Sequence, residues 1–140
     1  MPELLVVLLI IGILAAVAIP SFVSQKSKAY DVSAEELLHT AQVAAQTYAI
    51  DHDGEFRWGV EPAGVEELRR SQSGLPACPS SGEACLLHAE ENEGGRGYKL
   101  VAQAAGTGDQ FTVTLNSSGV ITRTCTSSKT SCSGSATGSW

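Results

Sequence analysis

No lysine or arginine precedes Lys26, and no polar side chain interrupts the sixteen residues from Leu4 to Ile19. A secretory signal peptide carries a basic n-region, an apolar stretch of about 7 to 15 residues and a small-residue cleavage site. Here Pro20, Ser21 and Phe22 stand where that site belongs, so the segment is expected to stay in the product. Basic residues are scarce throughout: 9 Lys and Arg face 15 Asp and Glu, for a net charge of −6 and a pI near 4.9. That balance argues against a uniformly basic nucleic-acid surface. Aromatics are only 6% of the chain and give no support to a conducting aromatic path. Catalytic motifs are missing too. His39, His52 and His88 stand apart, with no G-x-S-x-G and no H-E-x-x-H, and Gly94-Gly95-Arg96-Gly97 lacks the Lys-Ser/Thr of a phosphate loop. The chain is expected not to be an enzyme and to need no cofactor.

What is present begins with the apolar run. At 1.5 Å per residue, LLVVLLIIGILAAVAI would cover about 24 Å as a helix, a little short of the roughly 30 Å hydrocarbon core of a bilayer. A helix apolar all round must be buried all round. The mostly polar residues that follow cannot enwrap it, so two homes are expected: a membrane, and a packed core made of other copies. Glu3 is the one charge at its N-terminal end.

From Ser21 the helix is expected to change character without ending. Tyr30, Ala34, Leu37, Ala41, Ala44 and Tyr48 recur at steps of three and four, widened by Leu38 and Ala45. Asp31, Glu35, Glu36, His39, Gln42 and Gln46 take the other faces, which makes an amphipathic helix with one buried side. Pro20 removes a donor and should kink or loosen the turn before it, and Gly12 marks the other end of a weak stretch. Asp51-His52-Asp53-Gly54-Glu55 has part of the look of a calcium loop, but Glu55 comes too soon for the bidentate ligand. A solvated stop with a left-handed Gly54 is preferred.

The run PELLVVLLIIGILAAVAIPSF, Pro2 to Phe22, resembles the N-terminal signature of mature type IV pilins and the related pseudopilins, ungapped and with Glu3, Gly12 and Pro20 at the family's spacing. The resemblance implies a leader removed by a prepilin peptidase, a methylated N-terminal residue and assembly into a helical filament through the apolar helix. The family's mature chain carries two more residues ahead of the glutamate, so this numbering does not assign the methylated position. Melting of the Gly12 to Pro20 stretch on assembly is a further implication.

About 110 residues remain for one compact unit. Two units are expected: residues 1–24 as a transmembrane and polymerisation helix, and 25–140 as a globular head that includes the amphipathic half-helix, about 25–52. Cys78, Cys85, Cys125 and Cys132 form two C-x6-C pairs. An even count in an exported chain reads as two disulfides. The rival, a metal site, suits a tighter C-x2-4-C spacing, and no metal is expected. Equal short spacings favour Cys78 with Cys85 and Cys125 with Cys132. Lys26 and Lys28, just beyond the apolar run, would on their own hold that side in the cytoplasm. The resemblance and the cysteines place it outside.

Phe56 and Trp58 are expected to dock on the head, and Val65 to Arg70, after Pro62, to form a helical turn or two with a Glu66–Arg70 pair. Ser71 to Ser81 reads as a loop. Three strands are predicted, Tyr98 to Ala104, Gln110 to Leu115 and Val120 to Thr124, the last two joined by an Asn116-Ser117-Ser118-Gly119 turn. The predicted fold is α+β: a long N-terminal helix, its first half projecting and apolar, its second half packed on a small antiparallel sheet of three to four strands. Thr126 to Trp140 reads as a mobile, solvated tail held at Cys132. The expected function is a major pilin, a structural subunit at the cell surface that waits in the cytoplasmic membrane. Its implied partners are copies of itself and the pilus assembly machinery, with no nucleic acid bound by the bulk surface. The alternatives are a pseudopilin of a secretion or competence system, and a membrane-anchored monomeric binding module.

Overall fold

A single helix of 50 residues, α1 (Pro2–Asp51), carries the rest of the protein on its second half. The computed structural model describes residues 1–59, 61–127, 132, 137, 138 and 140, with backbone alone for 137 and 138. Pro2 opens α1 in the first turn, where a missing N–H costs nothing. The helix runs unbroken through Gly12 and Pro20. Its last turn closes where the Gly54 N–H donates to the Ala49 carbonyl at 2.7 Å, with Gly54 at φ +83°, the left-handed stop that a glycine makes without strain.

After α1 come α2 (Ala63–Ser71), β1 (Ala84–Asn92), β2 (Gly97–Ala104), β3 (Gln110–Leu115), β4 (Ile121–Thr126) and the two-residue β5 (Thr137–Gly138). The strands form one sheet in the order β1-β2-β3-β4-β5, every neighbour antiparallel. A sheet with one apolar face needs a cover, and α1 supplies it. Tyr98, Leu100, Ala102 and Ala104 of β2 are buried together with Phe111 and Val113 of β3. Opposite them Ala34, Leu38, Ala41 and Ala45 are fully buried on α1. Three of these four helix positions are alanines, whose short side chains let the helix backbone approach the sheet.

β1 is a strand that the period-two pattern hides. Its register with β2 shifts between Leu86 and His88, so Leu87 is an extra residue, and Leu86 and Ala89, three apart, are both buried. A bulge of this kind defeats simple alternation. Phe56 and Trp58 do dock, at 8% and 5% exposure, in an aromatic cluster with Tyr48 and Tyr98. α2 lies against β1 at Gly64, where any Cβ would collide with the Ala89 carbonyl and the Trp58 ring. Its ion pairs differ from the expected Glu66–Arg70 contact: Arg69 reaches Glu66 at 3.2 Å, and Arg70 turns to Glu67. On this short helix both arginines take the nearer i,i+3 carboxylate.

The chain end departs from a simple tail. β5 pairs with Cys125 and Thr126, and the Trp140 indole N–H donates to the Thr124 carbonyl at 3.0 Å. The Trp140 ring meets Phe111 and His39 edge to face and lies under the Arg123 guanidinium. The expectation of a mobile tail otherwise concerns residues 128–131, 133–136 and 139, which lie outside the described residues.

Candidate assembly surface

The first half of α1 meets nothing in its own chain. Leu4 to Val23 are exposed at nearly every position, and aliphatic side chains such as Leu5, Leu9, Leu14 and Val17 show about two thirds or more of their surface. The helix is long and apolar enough to cross a membrane, with a mean hydropathy of 2.9 in its best window and none of that window buried. At roughly 25 cal/mol per Å² of apolar surface, leaving this half in water is untenable. Glu3 sits in the first turn, where a carboxylate complements the positive end of the helix dipole. Gly12 has open space where a Cβ would stand, so no contact inside the chain requires glycine there. Pro20 leaves the Ala16 carbonyl without its usual donor. Glu3, Gly12 and Pro20 therefore share one exposed element, whose chemistry is directed outward.

The head takes hold of α1 at Tyr30. Gly106, between β2 and β3, lies so close to the Tyr30 ring that a Cβ would overlap it. One residue on, the Thr107 hydroxyl donates to Asp31 Oδ1 at 2.8 Å, and Ser33 donates to Glu83 at 2.9 Å. Burial pushes the Asp31 carboxyl above its ordinary range, Thr107 opposes this, and the charge of Asp109 adds to it. Glu35, one turn on, is raised by burial and by Asp31. Asp109 is fully buried, accepts from Ser127 at 2.7 Å through Oδ1, and receives no hydrogen bond at Oδ2. A carboxylate buried this way is unusual. Sequence reasoning passed over Asp109; the Gly-Thr-Gly-Asp run at 106–109 reads only as a turn, and its burial depends on β4 and Ser127.

The four cysteines are joined as Cys78–Cys85 and Cys125–Cys132, with Cα separations of 5.1 and 5.7 Å. The first bond pins the loop after α2 to the start of β1, where Cys78 N–H donates to the Leu86 carbonyl at 3.0 Å. The second fastens the end of β4 to residue 132, and both sulfurs are buried. Among the described residues no group of three or more His, Cys, Asp or Glu side chains is placed to hold a metal ion.

The far end of the head is acidic. Asp51 ends the helix and Asp53 follows it, and Glu90, Glu91 and Glu61 line an open recess of about 320 Å³ with Gly59. Several of its carboxylates are engaged: Glu55 with Arg57 at 2.8 Å, Glu90 with Lys99 at 3.5 Å, and Glu61 with the Ala89 N–H at 2.8 Å. His88 Nδ1 stands 3.0 Å from Glu61, near enough for an ion pair when protonated although not aligned as a hydrogen bond. Comparison of the chain with protein-family models, with curated proteins and with solved structures gives no match.

Proposed function

We propose that this protein is a filament subunit of the type IV pilin kind, held in the cytoplasmic membrane by the first half of α1 and assembled through that half into an extracellular fibre. The observation that carries the reading is the wholly uncovered apolar half-helix, continuous with a half that the head binds firmly. A membrane anchor alone would account for the apolar surface. It gives Glu3 no partner beyond its own helix N-terminus, and a carboxylate drawn from the membrane surface toward the core meets a rising cost, about 2.5 kcal/mol or more at the centre. In a bundle of such helices the carboxylate can meet the α-amino group of a neighbour, where low dielectric strengthens the pair. Two disulfides suit a head that works outside the cell.

The test is to isolate surface fibres from the native host, image them and identify their subunit by mass spectrometry. Fibres built from this chain support the reading. A host that makes the protein only as a dispersed membrane species, with no fibre under piliating conditions, refutes it and leaves a monomeric anchored module.

A further inference from the structure

α1 ends with the wrong charge. The C-terminal end of a helix carries about half a negative charge and is normally eased by Lys, Arg or His⁺ in its last turn. The last turn of α1 has no basic residue, and Asp51 and Asp53 add two exposed carboxylates to the same end. Glu91, exposed near the end of β1, adds a third near by; burial, then the charges of Glu67 and Glu91, raise the Tyr48 hydroxyl. Two of the basic side chains nearest this end are already engaged: Arg57 holds Glu55 at 2.8 Å, and His52 stacks on Tyr48 with its Nδ1 2.8 Å from the Tyr48 carbonyl, while Arg96 is exposed and forms no ion pair among the described residues. Asp51, Asp53 and Glu91 take part in no ion pair among the described residues.

Two cations lie at the other end of the head, where the carboxylates of Asp31 and Glu83 accept hydrogen bonds from Thr107 and Ser33. Lys26 and Lys28 project from the neck of α1, both exposed, and neither forms an ion pair among the described residues. The Lys26 ammonium lies 5.9 Å from the centre of the Tyr30 ring. Neither end can reach the other within one chain, because the 23 residues of straight helix from Lys28 to Asp51 separate them by about 35 Å.

We propose that these are two halves of one contact between copies: the neck lysines of one subunit dock on the carboxylate-bearing end of α1 in another, displaced by about 35 Å along the helix direction. The occupant is a second copy of this chain, chosen by charge complementarity and by the helix that carries both partners. Resting on the filament reading, the contact deepens it by naming a head-to-neck surface beside the apolar one. In the membrane the same lysines face lipid phosphates, and assembly exchanges these for carboxylates.

The experiment compares native chain, Lys26→Glu/Lys28→Glu, Asp51→Lys/Asp53→Lys, and the four-fold swap, each scored for membrane level and fibre yield. The substituted positions are exposed, so head folding is checked by the two disulfides and is expected to hold. Either reversal alone should lower fibre yield about tenfold or more, as exposed pairs turn repulsive. The swap should restore most of it. Native fibres whose yield is indifferent to both reversals overturn the contact and leave the filament reading intact. A lysine reversal that abolishes fibres without rescue by the swap also overturns it, assigning the lysines to the lipid surface. Failure of the native chain to form any fibre counts against the filament reading itself.

Discussion

Thr107 donates to Asp31 across 76 residues of chain, so the turn between β2 and β3 is latched to α1 by one side-chain hydrogen bond of 2.8 Å. The latch holds a carboxyl whose ionised form the fold disfavours. Because the folded value of Asp31 lies above its ordinary 3.8, its contribution to stability is complete below that pH and is lost as pH rises through the folded value. Asp31→Asn keeps an acceptor for Thr107 and removes the charge. It should raise stability at pH 7 by a few tenths to about 1 kcal/mol and make no difference near pH 3. Urea unfolding of the detergent-solubilised chain at both pH values measures this. A variant less stable at pH 7 contradicts the sign.

Glu3→Ala separates storage from assembly. If the carboxylate pairs with a neighbouring α-amino group in the fibre core, the variant should reach normal or higher levels in the membrane and yield little fibre. Normal fibre yield would falsify the pairing.

The stretch from Gly12 to Pro20 is helical here, and assembly is predicted to unwind part of it. Gly12 costs about 1 kcal/mol relative to alanine, and Pro20 removes a hydrogen bond. Lipid enforces the helix because freed groups find no partner there, whereas neighbouring subunits and water can supply partners. An unwound stretch rises up to about 3.3 Å per residue. A filament map at side-chain resolution decides, and unbroken i to i−4 bonding from Gly12 through Ile19 rules the idea out.

Each disulfide should contribute on the order of 2 to 3 kcal/mol by the chain-entropy account. Non-reducing peptide maps of native protein are expected to join residue 78 to 85 and 125 to 132. A peptide bridging the two pairs overturns this connectivity, and Cys125→Ser/Cys132→Ser should release the end of β4 first.

Trp140→Ala removes a ring packed on Phe111 and His39 and a hydrogen bond to Thr124. A loss of about 2 to 3 kcal/mol is expected, toward the low end for a large aromatic because the site is partly exposed. Faster amide exchange across β4, with β1 and β2 unchanged, would mark the effect as local.

The architecture was legible where the pattern was periodic. The stripe from Tyr30 to Tyr48, the alternation of Tyr98, Leu100 and Ala102, and the turn at Gly119 each state their own structure. Leu86, Leu87 and Ala89 do not, because the bulge moves a buried residue out of step and the acids Glu90 and Glu91 dilute the strand signal. Trp140 was equally silent. A Ser/Thr/Gly-rich tail reads as solvated, and only the groove between Phe111, Arg123 and His39 gives the last residue a place. Asp109 carries no local sign of burial, since its surroundings are assembled from α1, a turn and β4.

Tyr30 and Gly106 together fix where the head sits on α1. Since the ring occupies the space a Cβ would need, the head cannot slide along α1 in small steps; it grips at one rung. The free length of rod below the head is therefore gauged by a glycine in the head, far in sequence from the rod it measures. Any larger residue at position 106 would shift or loosen the grip and, on the filament proposal, subunits so altered would offer their neighbours a rod of the wrong reach.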